Sequence, residues 1–203
     1  MICFKLSKSL ARVFGAFVMV WVFPSCQFIQ APAMRGDEAL SLEKRLEEDL
    51  IELPHREPQS RLAQRGREAK KVARRVAEFT QEFRLQNRPV RFPWLNNALV
   101  HLMDDRYGLC WHHQIALYQA LCQLQLRCYH MDLVVSKQGS LLEHHALLIR
   151  SAHSQPSKGL VIDTWVNPGR FVFYRLEEKT NHWHLNPSWQ RLVRSGERGL
   201  PSL

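Results

Sequence analysis

The chain lacks several features, and each absence closes off a class of protein. No CxxC or HExxH spacing marks a metal centre, and no clustered carboxylate loop of the calcium type is present, so neither a metal nor any other cofactor is implied. The formal charge is +9, yet a recognised nucleic-acid motif is missing and no aromatics interleave the basic residues, so no nucleic-acid partner is expected. Hydrophobic runs are short. The uncharged apolar stretch Val13 to Phe23 has 11 residues, against about 20 for a membrane-spanning helix. Acids are absent from the first 26 residues, which carry Lys5, Lys8 and Arg12.

What is there begins with that N-terminus. Three cations followed by a short apolar core have the form of an export signal, assigned to residues 1–26. Phe23-Pro24-Ser25-Cys26 resembles a bacterial lipoprotein box, which would place a lipid on Cys26; Ala31-Pro32-Ala33 is the alternative, ordinary cleavage site. The expected location is the periplasm, with the chain tethered to the membrane. Loss of the three signal cations would take the formal charge from +9 to +6, a balance that favours anionic surfaces such as lipid headgroups. Removing Cys3 with the signal and committing Cys26 to the lipid leaves Cys110, Cys122 and Cys128, an odd number that suggests at least one thiol kept free. Cys122 and Cys128 either pair or stay as inert buried thiols.

With 203 residues and 45% hydrophobic content, the chain suffices for one globular domain with an extension. Residues 27–91 form the extension, an αα-hairpin. Asp37 caps a helix with Leu42, Leu46, Leu50 and Leu53 at three- and four-residue spacing, and Pro54 stops it. A second helix from near Ser60 presents Leu62, Ala69, Val72, Val76, Phe79 and Phe83 on one face and Arg61, Arg65, Arg67, Lys70, Lys71, Arg74 and Arg75 on the rest. The first is acidic and the second basic, so they are expected to pair acid against base. Residues 92–203 form the main domain, with Pro93 starting a third helix. The segment from Cys110 to about Gln125 is apolar around most of its circumference and reads as a central buried helix. Beyond it the period becomes two: residues 129–136, 142–150, 160–165 and 171–175 are expected as strands of an antiparallel meander. The layout is α+β, a buried helix packed on an antiparallel sheet. The stretch containing His182, Trp183, His184 and Trp189 shows no clear period.

Three short runs carry the chemistry: Gly108-Leu109-Cys110-Trp111, Glu143-His144-His145-Ala146 and Val161-Ile162-Asp163-Thr164-Trp165. They supply a thiol, an imidazole and a carboxylate in order, the set needed for a nucleophile, a proton carrier and a group that orients it. Unpaired amides and the positive end of a helix dipole favour thiolate over thiol at a helix start, and the same amides can hold an oxyanion. Alternation along the strand places His144 and His145 on opposite faces, so only one faces the helix.

These motifs, over residues 92 to 175, resemble the transglutaminase-like superfamily, whose core is a nucleophile helix on an antiparallel sheet and whose triad runs Cys, His, Asp. The compact spacing argues against a papain-like protease, where the histidine lies much further along. The resemblance selects the histidine directly before alanine, which makes Cys110 the nucleophile, His145 the general acid/base and Asp163 the orienter. Trp111 packs against the sheet or contributes to substrate binding. The implied activity is cleavage or transfer at an amide bond, peptide or isopeptide, on a protein or peptide substrate in the cell envelope. Departures from the family pattern are the His112-His113 pair and the long helical extension. Two other readings stand beside this one: a zinc site drawn from Cys110, His112, His113, His144 and His145, and a fold kept for binding with its triad unused.

Overall fold

A computed structural model of the chain describes residues 31–56, 58–89, 109–140, 142–167, 169–178 and 183–196. The export-signal and Cys26 assignments and the expected helix from Pro93 lie outside the described residues. Leucines at helical spacing build α1 (Gly36–Glu52), which has Asp37 and Glu38 at its positive end and buries Leu46 and Leu50. The longer α2 (Leu62–Asn87) buries Ala69, Val72, Ala73, Val76, Phe79 and Phe83 and ends at Arg88 in a left-handed conformation (φ 43°). The central helix α3 (Cys110–Cys122) is almost entirely buried beyond Trp111.

The strands follow: β1 (Tyr129–Ser136), β2 (His144–Ser151), β3 (Leu160–Asp163), β4 (Val172–Arg175) and β5 (Trp183–Leu185), with a closing helix α4 (Pro187–Arg194). All neighbours are antiparallel in the order β4-β3-β2-β1-β5. The expected four-strand meander is therefore present, and the unplaced C-terminal stretch returns to pair β5 with the free edge of β1. Pro187 opens α4, Asn186 caps it by accepting from Trp189 N at 3.1 Å, and Val193 enters the core.

One hydrophobic core joins Leu46, Leu50, Val72, Val76, Phe83, Ile115, Leu121, Leu133, Leu147, Ile149 and Ile162. The two N-terminal helices thus form a layer of the same core as α3 and the sheet. Arg65 fastens them, although it is 1% exposed. Its guanidinium donates to the carbonyls of Leu50 (2.9 Å), Ile51 (3.2 Å) and Leu53 (2.8 Å) around the end of α1, where Leu50 O also accepts from the Tyr129 hydroxyl (3.1 Å), and to Ser151 Oγ (3.0 Å) at the end of β2. The ring of Tyr129 lies 5.0 Å beneath it.

The expected acid-against-base pairing takes a different form. Acids of α1 reach the sheet side, Glu38 to Arg170 (3.0 Å) and Glu52 to Arg175 (3.5 Å), while Arg74 and Arg75 of α2 pair with Glu78 and Glu82 of their own helix. Apolar packing, rather than charge, joins the hairpin. Near the Arg170 contact Gly169 has φ 81°, and a Cβ there would meet Pro32 O at 2.7 Å.

Candidate active site

Register decides which histidine meets the carboxylate. Leu147 of β2 stands opposite Ile162 of β3, and both point to the helix-side core. Three residues back, His144 points to the other face; one residue on, Asp163 does the same. His145 therefore shares the face of Leu147 and lies across the sheet from Asp163. The sequence expectation of a Cys110-His145-Asp163 set is corrected on this point: the histidine that joins Asp163 is His144.

Its geometry is tight. His144 Nε2 and Asp163 Oδ2 are 2.6 Å apart, with side-chain exposures of 19% and 4%. Asp163 Oδ1 accepts from the backbone N–H of Trp165 (2.9 Å) and Val166 (3.2 Å), in the turn directly after β3. Burial pushes the Asp163 carboxyl up, but the His144 bond, its charge and those two amides outweigh burial and hold it below its ordinary value. An ionised carboxylate only accepts, so the proton of a neutral His144 sits on Nε2 and Nδ1 carries the lone pair. Nδ1 is buried and makes no hydrogen bond among the described residues. The imidazole ring is held between Trp165 and Trp183, with centroids at 5.1 and 5.5 Å.

Cys110 opens α3 where β2 begins. Burial disfavours charge on His144, yet the Asp163 and Cys110 side chains beside it outweigh that and push its pKa up to about 9. In the resting geometry Sγ makes a long contact, 3.9 Å, to the carbonyl of Glu143 rather than a formed bond to Nδ1. Such loose thiol–imidazole placement is common before substrate binds. The first backbone bond of α3 runs from His113 N to Leu109 O (3.2 Å), so the amides of Cys110, Trp111 and His112 have no partner within the helix.

The other histidines have separate duties. His112 Nδ1 accepts from Leu109 N (3.2 Å) and so caps α3, with its ring 3.7 Å from that of Trp111. His113 bonds Thr164 Oγ1 (3.1 Å) and its ring packs at a tilt against Phe83, centroids 4.1 Å apart; burial lowers its pKa to about 3 and keeps it neutral. His145 Nδ1 meets Gln114 Oε1 (3.2 Å) and Nε2 meets Glu143 Oε1 (2.7 Å). Among the described residues no three His, Cys, Asp or Glu side chains converge as metal ligands. Trp111 is half-buried and packs edge-on against Trp189 at 6.0 Å. Cys122 and Cys128 are not joined by a disulfide, the first being exposed and the second buried.

Sequence reasoning passed over Gln114, Glu143, Trp183 and Trp189. Gln114 was detectable as a polar residue inside an otherwise apolar helix segment; Trp183 and Trp189 lacked a period to place them. A cleft of about 460 Å³ lined by His55, Arg56, His153 and Lys158 lies past the end of β2 remote from His144 and contains none of these groups. Among the described residues no helix is long and apolar enough to cross a membrane. Comparison with family models, with curated proteins and with solved structures finds no match for this chain.

Proposed function

We propose that the protein is a thiol enzyme acting at an amide bond, peptide or isopeptide, with Cys110 as nucleophile, His144 as general acid/base and Asp163 as orienter. The observation that carries this reading is the 2.6 Å His144–Asp163 bond, which leaves the unbonded Nδ1 on the ring that Cys110 adjoins. The thiol proton passes to Nδ1, where a pKa of about 9 favours the imidazolium, and Sγ bonds to the substrate carbonyl carbon. The amides of Cys110 and Trp111 at the start of α3 are the donors for the resulting oxyanion. Collapse breaks the C–N bond, the departing nitrogen takes the proton from His144, and a Cys110 thioester remains. Water or an amine then gives its proton to His144 and attacks the thioester, and the proton returns to sulfur.

The order of elements, helix then meander, and the order Cys, His, Asp support a transglutaminase-like core. The histidine differs from the family pattern, because the residue after His144 is His145 rather than alanine. Hydrolysis is the preferred outcome, since water is always present. Export and lipid attachment at Cys26 complete the proposal; palmitate labelling of the native chain and of C26A in a bacterial host tests them, and equal labelling contradicts the lipid.

The activity is tested by incubating the purified chain with peptide and isopeptide substrates and measuring intact mass. A Cys110 acyl adduct that vanishes in C110A and H144A is expected. No adduct, together with iodoacetamide labelling of Cys110 no faster than that of exposed Cys122, would favour a binding module with an unused triad.

A further inference from the structure

His145 is buried beside the candidate site, yet it is absent from the mechanism above. Its surroundings fix its protons. Gln114 Nε2 faces two carbonyls, Val134 O (2.9 Å) and Ala146 O (2.5 Å), so this nitrogen donates to both and the amide has a single orientation. Gln114 Oε1 then accepts from the indole N–H of Trp189 (3.0 Å) and, at 3.2 Å, from His145 Nδ1, which must carry hydrogen. On the far side His145 Nε2 stands 2.7 Å from Glu143 Oε1, and the other oxygen of that carboxylate accepts from Gly139 N at 2.6 Å. A bond between Nε2 and Oε1 therefore needs one further proton held between them. Without it two lone pairs face each other.

The same Glu143 supplies the carbonyl on which Cys110 Sγ rests. Its side chain closes the β1–β2 loop onto Gly139, where the backbone adopts φ 78°. The geometry points to His145 as a positioning residue: with the shared proton in place, the Gln114–His145–Glu143 chain clamps the loop and parks the Cys110 thiol on Glu143 O. Loss of that proton releases the clamp and frees the thiol for His144. This rests on the proposed role of Cys110 and His144.

Among the described residues, the titratable groups acting on His145 are Glu143 in the loop and His144 on its own strand. From α3 it meets the neutral Gln114, from α4 the Trp189 ring at 5.6 Å, and its partner across on β1 is Val135. Burial lowers the His145 pKa below its ordinary value against the pull of Glu143, so the clamp opens as pH rises through the mildly acidic range.

The test follows iodoacetamide labelling of Cys110 relative to Cys122 from acid to neutral pH in the full chain. The native ratio is expected to climb by roughly threefold to tenfold, the equivalent of one hydrogen bond. In E143Q the Gln amide donates to a neutral His145, so the clamp stays shut and the ratio stays low and flat. In H145A the clamp is gone, and the ratio is high and flat. Both variants superimposing on the native profile, while H144A still slows Cys110, overturns the clamp and leaves the catalytic reading intact. A native Cys110 that tracks Cys122 at every pH overturns both. E143Q is nearly isosteric, so it decides the question even if H145A fails to fold.

Discussion

Two adjacent histidines at the start of β2 sit in opposite surroundings. His144 has a buried aspartate on one nitrogen, no hydrogen bond on the other among the described residues, and tryptophan rings on either side. Burial of His145 is deeper, with partners on both nitrogens and none from β3. One ring has a nitrogen without a bonded partner and a raised pKa; the other is bonded at both nitrogens, and its pKa is lowered. A proton carrier needs a ring nitrogen open to the thiol, and only His144 offers one.

The largest effect that tests this contrast is on turnover. Replacing His144 with alanine should cost about 10² to 10⁴ in rate, whereas H145A should change it by roughly tenfold or less, the scale of one hydrogen bond. Equal losses would erase the distinction between the two faces.

Next comes Asp163→Asn. In the native chain His144 should titrate near 9 when followed by its ring-proton NMR signal, and D163N should bring that value down. The sign for stability follows. A pKa raised on folding stabilises fully below the unfolded value of about 6.5, and the contribution is lost as pH climbs through 9. Native thermal stability should therefore decline across that window, and D163N should flatten the decline. An unshifted His144 signal in D163N would sever the pair.

Arg65→Leu sharpens the comparison from the other end of β2. It removes the guanidinium from the carbonyls of Leu50, Ile51 and Leu53 and from Ser151 Oγ, although Leu50 O keeps the Tyr129 hydroxyl at 3.1 Å, and should cost roughly 3 kcal/mol in denaturant unfolding. The pH profile of Cys110 labelling should not move, because Arg65 fastens the helical layer rather than the site.

The smallest effect concerns His113, which is buried and neutral with a pKa near 3. A base whose pKa falls on folding supports the native state above about 6.5 and withdraws that support as pH falls toward the folded value. Acid unfolding should begin in that interval and move to lower pH in H113N, which retains a polar group for Thr164. An unchanged acid midpoint would place the acid sensitivity elsewhere.

Helices α1 to α3, the four strands β1 to β4 and the three chemical groups were legible because their signals are local. Leucine spacing marks α1, alternation and turn residues mark β1 to β4, and Cys110 begins a helix. The choice of histidine was not legible. Both faces of β2 and β3 are apolar, Leu147, Ile149 and Ile162 on one and Ala146, Leu148 and Val161 on the other, so alternation alone does not show which face Asp163 joins. That depends on the β2–β3 register, a non-local property. β5 escaped notice for a related reason: three residues are too few to display a period, and it is held by pairing with β1.

The most direct measurement is the rate of iodoacetamide labelling at Cys110 relative to Cys122 in the native chain, H144A and H145A, quantified by peptide mass spectrometry near neutral pH. Cys110 should outpace Cys122 in the native chain and in H145A, and fall to the rate of Cys122 in H144A. Loss of the preference in H145A with its retention in H144A would contradict the assignment of His144.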